Sequence, residues 1–203
     1  MDYIKKYIGE QVEFKSRTWG KLTVEVASFT PASDGDLVIF IGKPFEEDTP
    51  LIRIHSECVF AEALDSDLCD CADQLKLALN RLVSEGNGIL FYLRFDGRGA
   101  GLAAKLKATA LEVRGIDTYE SRLKIGVEPE GRNFFSIGQY LFNKGIKKVR
   151  LLTNNPLKGK GLEDAGIIVF YEPLLISEPS KNVRKLYKTK ANKFHHFIPP
   201  KLV

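Results

Sequence analysis

The sequence predicts a mixed α/β fold, with an antiparallel, β-rich N-terminal part followed by a half in which strands and helices alternate. Two observations carry this prediction. The first fifty-odd residues hold short apolar or alternating runs separated by glycine-rich turns, which suits sequential antiparallel strands. After Cys71 the apolar spacing turns helical, and glycines then sit at the joints between helical and strand-like segments. A third observation fixes attention on the junction. The only three cysteines of the 203-residue chain, Cys58, Cys69 and Cys71, lie within fourteen residues there.

The elements follow in order. Val12–Phe14, Leu22–Val26 and Leu37–Ile41 read as strands, punctuated by Gly20, Gly35 and Gly42-Lys43-Pro44. Ile52-Arg53-Ile54 reads as a further strand that delivers the chain to the cysteines. Leu75, Ala78, Leu79, Leu82 and Val83 have helical spacing, with Asp70 and Asp73 near the start and Gly86 at the end. Ile89–Leu93 reads as a buried strand and Gly97-Arg98-Gly99-Ala100-Gly101 as a turn. A helix is expected from Leu102 to Val113, stopped by Gly115, and another from Phe134 to Asn143, stopped by Gly145. Val149–Leu152 and Ile167–Phe170 read as strands, with Leu162–Ala165 part of a short helix between them. From about Ser177 the chain is polar and basic, a tail expected to be ordered only where something docks it. The whole reads as a single domain over 1–203, divided into a β-rich part (1–58), an α/β part that carries Cys69 and Cys71 (59–176) and a basic tail (177–203).

Composition narrows the function. Apolar residues make up 44% and charged residues 28%, an ordinary globular mix, and no apolar run approaches a membrane span. Met1–Lys6 leads into no long apolar stretch, so no signal peptide is expected. An odd, clustered set of cysteines suits a reducing cytoplasm. The net charge of +4 fits a small anionic substrate, and no dense basic run interleaved with aromatics points to nucleic acid. Three soft ligands do not close a structural zinc site, which takes four. Three thiolates with an open fourth position suit a catalytic zinc that holds a water.

Four motifs then come in a fixed order: Arg53-Ile54-His55-Ser56-Glu57-Cys58, Cys69-Asp70-Cys71, Gly97-Arg98-Gly99 and Leu151-Leu152-Thr153-Asn154-Asn155-Pro156. With these the chain resembles the GTP cyclohydrolase II family, zinc enzymes that open the guanine imidazole ring at the head of riboflavin synthesis. The resemblance covers roughly residues 10 to 197 and includes Thr189-Lys190-Ala191, Lys193 and His196 of the tail. It implies that Cys58, Cys69 and Cys71 hold Zn²⁺. It also implies nucleotide contacts from Arg53, Glu57, Gln74, Asp96, Gly97, Arg98, Thr118, Thr153 and Lys158. Read without the family, Arg53 and Glu57 are equally compatible with a strand-end salt bridge, Gln74 with a surface polar residue and Lys158 with a solvated lysine.

Arg132 matches the family's proposed nucleophile on the α-phosphorus, and a non-covalent clamp on that phosphate is the competing role. Glu130 stands where the family has an aspartate, Mg²⁺ is expected with the triphosphate, and a homodimer is implied. The chain departs from the family pattern beside the site. Thr109 occupies the place of a tyrosine thought to assist the zinc-side hydrolysis. Leu68 replaces an arginine, Phe95-Asp96 replaces Gln-Glu, and Phe60-Ala61-Glu62 replaces Thr-Gly-Asp. These changes imply three alternatives: a GTP cyclohydrolase II, a paralogue that stops at the formamidopyrimidine or opens another nucleotide ring, and a nucleotide-binding pseudoenzyme. The retained cysteines, Arg98, Thr153 and Arg132 favour turnover.

Overall fold

The structure, a computed structural model, describes residues 7–29 and 35–203. The opening segment Met1–Lys6, read above for a signal peptide, lies outside the described residues. Seven strands form one sheet in the order β1-β2-β3-β5-β4-β6-β7. Strands β1 (Gln11–Ser16), β2 (Gly20–Ala27), β3 (Asp36–Ile41) and β5 (Gly88–Leu93) pair antiparallel in that order. Strand β4 (Leu51–Ser56) pairs parallel with β5 on one side and with β6 (Lys148–Leu152) on the other. Strand β7 (Ile168–Glu172) adds parallel to β6 at the edge. The predicted division is therefore present within one continuous sheet.

The parallel strands need crossovers, and helices supply them. Val59–Glu62 (α1) and Cys71–Glu85 (α2) connect β4 to β5. Gly101–Glu112 (α3), Glu120–Lys124 (α4) and Phe135–Asn143 (α5) connect β5 to β6, and Pro156–Glu163 (α6) connects β6 to β7. Gly86 ends α2 in the left-handed region at φ 72°, as its position in the sequence implied. Asn155 caps α6 by accepting from Leu157 N at 3.0 Å, with Pro156 at the first helical position.

Strand alternation sorts side chains between two cores. Ile52, Ile54, Ile89, Phe91 and Leu93 join Ile137, Leu141 and Leu162 on the face covered by α5 and α6. Leu51 and Leu90 join Ala78, Leu79 and Leu82 of α2 on the opposite face. By the same parity Arg53 and His55 fall on the α2 face, both buried within a strand whose first five residues are all buried. A charged and a polar side chain in such a strand need partners, and those partners lie in the cleft described next.

The basic tail is ordered, and it is docked. Residues Lys181–Phe194 form a fourteen-residue helix (α7), capped by Ser180, whose Oγ accepts from Val183 N. The body of the protein itself docks it. Val183 and Tyr187 are buried, and Tyr187 donates to Asp70 at 2.6 Å. The short helix expected at Leu162–Ala165 begins earlier, at Pro156. Helices α1 and α4 were not foreseen, because four or five residues carry too little periodicity to register.

Candidate active site

In open α/β sheets, ligands bind beyond the carboxyl ends of the strands, where the order of connections reverses. Here β4 connects toward β5 and β6 toward β7, so the reversal lies between β4 and β6. Two buried cations tie that point together reciprocally. Arg53 of β4 donates to the carbonyl of Leu152 at 2.9 Å, and Lys158 of α6 donates to the carbonyl of Ile54 at 2.8 Å. A cleft opens above them. All the zinc, nucleotide and catalytic candidates from the sequence line it except Glu130, which pairs with Arg132.

The cysteines occupy one end. Cys58 follows β4, while Cys69 and Cys71 bracket the start of α2. Their sulfurs lie within 4.8 Å of one another, with Cys58 and Cys69 at 3.6 Å. Thiolates about 2.3 Å from a tetrahedral Zn²⁺ are about 3.8 Å apart, so the spacing fits such an ion. Hydrogen bonds from Cys69 and Cys71, then the Lys105 ammonium at 3.1 Å, hold the Cys58 thiol far below its ordinary pKa against the effect of burial. That shared arrangement pushes Cys69 up to about 11 and Cys71 up as well. A divalent cation bound there would displace the thiol protons.

Three sets of contacts hold this end rigid. Lys105, 8% exposed, pairs with Asp96 at 2.7 Å as well as reaching Cys58. Burial alone would lower its pKa, but Asp96 and Cys58 outweigh it and keep it charged. Glu62 accepts from Cys58 N at 2.9 Å and from Tyr92 at 2.6 Å, and sits 2.8 Å from His55 Nε2. His55, stacked on Tyr92, is pushed down to about 4 by burial, so its ring is neutral and donates to Glu62. Asp70 accepts from Gln74 and Tyr187, each at 2.6 Å, and from Lys190 at 3.2 Å. Burial opposes its ionisation, but the Lys190 charge and these hydrogen bonds win and set its pKa at about 2. Sequence reading gave Glu62, Asp70 and Tyr187 no role at the site. The position of Asp70 between two candidate ligands was the available signal.

The other end is built from arginines. The Asp96–Gly99 turn puts Gly97, Arg98 and Gly99 at φ 65°, 58° and 91°. A side chain on Gly99 would press into the Gly131 backbone at 3.2 Å, so this glycine permits the turn to lie against the Arg132 segment. Arg98 lies 4.0 Å over the ring of Phe194, and burial, then repulsion from Arg132, lowers its pKa to about 10. Arg132 is gripped by Glu130 through its guanidinium fork and donates to Ser56 at 3.0 Å. Burial would raise the pKa of Glu130, yet Arg132 pulls it down, so the pair is ionised.

Several sequence alternatives are now decided. Gln74 is no idle surface residue, because it accepts from Arg53 at 2.8 Å. Glu57 does approach a strand-end cation, Arg94 just past β5, at 3.9 Å, whereas Arg53 donates to a carbonyl and an amide rather than to a carboxylate. Lys158 is 6% exposed rather than solvated, and burial drives its pKa well below the ordinary lysine value. Thr153 and Thr118 are buried at the cleft wall, and Thr109 on α3 faces it. Much of the Leu151–Pro156 motif is structural. Thr153 Oγ accepts from Asn155 N at 3.0 Å, and Asn154 accepts from Leu174 N at 3.0 Å.

Seven cationic and three acidic side chains line the cleft, apart from the thiols, so it favours an anion. The structure thus defines an α/β protein with a three-cysteine cluster of a geometry that could hold a metal ion, beside a cationic cleft. The chain belongs to the GTP cyclohydrolase II family, whose model matches residues 8–172. It is 46% identical over 154 residues to GTP cyclohydrolase-2 of Buchnera aphidicola from Acyrthosiphon pisum, covering 74% of this chain and 78% of that one. It is 42% identical over 185 residues to GTP cyclohydrolase-2 of Neisseria meningitidis, covering 89% of this chain and 91% of that one. Riboflavin biosynthesis protein RibBA of Bacillus subtilis is 40% identical over 179 residues, 87% of this chain but only 45% of that longer protein. Helix α7, which supplies Tyr187 and Lys190 to the site, lies beyond the residues matched by the family model.

Proposed function

We propose that this protein opens the imidazole ring of GTP hydrolytically, with zinc at Cys58, Cys69 and Cys71, and releases pyrophosphate and formate to leave a diaminopyrimidinone ribosyl phosphate. The observation that carries the reading is the three-sulfur cluster at one end of a cationic cleft, in a chain of this family. Bound zinc would supply a water acidic enough to act as a nucleophile at neutral pH. The chain's own groups do the rest. Lys105 holds the Cys58 thiolate and Asp96 in register. Arg98, Arg132 and Lys158 receive the phosphates, with Arg132 oriented by Glu130 and Ser56 toward the α-phosphate. Mg²⁺ would enter with the triphosphate. Arg53, Glu57, Gln74, Gly97, Thr118 and Thr153 shape the nucleotide pocket. Incubating the pure protein with each nucleoside triphosphate and identifying products by mass tests the reading. Intact GTP after prolonged incubation with zinc and magnesium would refute it.

Thr109 favours a second outcome for the same chemistry, in which the reaction stops at the formamidopyrimidine. Freeing formate needs a proton delivered to a departing amine, and a threonine hydroxyl is a poor acid at neutral pH. Lys105, one helical turn from Thr109, is already engaged by Asp96 and Cys58. Formate released in equal amount to ring opened would exclude this outcome. Thr109→Tyr should raise formate release about tenfold, less than the 10²–10⁴-fold of a well-placed acid because no surrounding shell holds the new phenol.

We further take residues 1–203 as one working domain and a homodimer as the active form. Exposed Leu102, Leu106 and Val113 along α3, and Ile168 and Phe170 on edge strand β7, are apolar surfaces that a second copy could cover. Light scattering at the size of one chain would contradict the dimer. Three free thiols require a reducing compartment, hence the cytoplasm, and among the described residues no helix is long and apolar enough to cross a membrane.

A further inference from the structure

Arg122 lies on α4 at the wall of the cleft and is 5% exposed. Neither its Nε nor its Nη1 has a hydrogen-bond partner, although both atoms are buried. Among the described residues no carboxylate pairs with it. Glu112 supplies its strongest attractive charge, but the Oε1 of Glu112 accepts from Ser121 Oγ at 2.8 Å. The other acids nearby are also engaged. Asp96 holds Lys105, Glu130 holds Arg132, and Asp117 holds Lys193 at 2.9 Å.

A guanidinium does not shed its proton at any ordinary pH, so burial leaves a charge that Glu112 and Asp96 attract but no group hydrogen-bonds through Nε or Nη1. Arg53 is the instructive contrast. It too has an unpartnered Nε, but its other nitrogens reach the Leu152 carbonyl and Gln74. Arg122 has no such anchor, which is the state expected of a side chain waiting for a ligand. The planar fork of arginine matches two phosphate oxygens at once. Of the three arginines at this end, Glu130 neutralises one. The charges of Arg98 and Arg122 remain, and they suit a polyphosphate better than a monophosphate.

We propose that Arg122 binds the phosphate chain of the nucleotide and sets the preference for a triphosphate over a monophosphate. The proposal rests on the reading of the cleft as a nucleotide site, and its test needs no turnover. Thermal unfolding and calorimetric titration compare the unaltered zinc protein with Arg122→Gln, Arg122→Lys and the exposed control Arg17→Gln. The ligands are tripolyphosphate, orthophosphate, guanosine and sulfate at matched ionic strength, all with excess magnesium.

The expected result is a 10–100-fold weaker tripolyphosphate affinity for Arg122→Gln, guanosine affinity unchanged, and an intermediate loss for Arg122→Lys. Because the variant removes a buried charge with two unpartnered nitrogens, its ligand-free unfolding temperature should hold or rise. Four results would overturn the proposal: tripolyphosphate that does not bind the unaltered protein, sulfate that binds it equally well, an Arg122→Gln variant that binds tripolyphosphate normally, or one that loses stability or fails to fold without ligand. If tripolyphosphate binds through Arg122 while GTP emerges unopened, the proposed reaction fails and this assignment stands.

Discussion

The two ends of the cleft contrast in how their charges are met. At the cysteine end the polar groups answer one another: Lys105 joins Asp96 to Cys58, Glu62 ties His55 and Tyr92 to the Cys58 amide, and Asp70 gathers Gln74, Tyr187 and Lys190. At the arginine end positive charge is left over. Arg98 lies against the Phe194 ring, Lys158 meets a backbone carbonyl, and Arg122 has two unpartnered nitrogens. The first end is organised to hold a cation at fixed geometry, with supporting residues that orient the ligands. The second is incomplete without an anion, and its charge is matched only when the ligand arrives.

The sharpest way to break this contrast is at the metal. Cys69→Ser should take bound zinc from about one per chain to almost none and reduce ring opening to background, read by elemental analysis and by product mass. A variant that keeps its zinc would show that the three sulfurs are not the ligands. At the other end, Arg132→Ala should lower pyrophosphate release from GTP by about 10²–10³-fold while leaving zinc content unchanged. Arg132→Lys should recover only part of that, since an ammonium cannot reproduce the fork held by Glu130 and Ser56.

Smaller effects sharpen the account of the cysteine end. Glu62→Gln keeps the size of the side chain but removes the charge that holds His55, Tyr92 and the Cys58 amide. Zinc affinity should weaken about 10–100-fold in a chelator competition, with the unfolding midpoint of the zinc-loaded protein little altered. Tyr187→Phe removes one hydrogen bond to a buried carboxylate and should cost about 1.5–3 kcal/mol, measured by urea unfolding. An unchanged midpoint in that variant would mean that α7 does not support Asp70.

These contrasts also separate what sequence reading could reach from what it could not. The cysteines are a local signal that spacing alone exposed, whereas Arg98 was marked through the family resemblance. The division into an antiparallel part and a strand–helix alternating part followed from the change in apolar period, and the Gly86 stop on α2 was legible because glycine accepts the left-handed conformation. Contacts between residues far apart along the chain were not legible. Asp70 and Tyr187 are 117 positions apart, and Lys158 and Ile54 are 104 apart, so their meeting is a property of the sheet order. The helix in the tail was not legible because α7 is polar and basic over most of its surface, with Val183, Tyr187 and Phe194 its only buried residues. Arg122 gave no signal at all, since one arginine in a short polar helix is ordinarily solvated and only burial sets it apart.

If the ends act independently, a protein without zinc should still work on the phosphates. The direct measurement is pyrophosphate release from GTP by Cys69→Ser, assayed beside Arg132→Ala and the unaltered protein with magnesium present. The account predicts that Cys69→Ser releases pyrophosphate at a rate comparable to the unaltered protein and leaves the guanine ring intact, whereas Arg132→Ala releases little. Equal loss of pyrophosphate release in both variants would contradict a cleft with two separable ends.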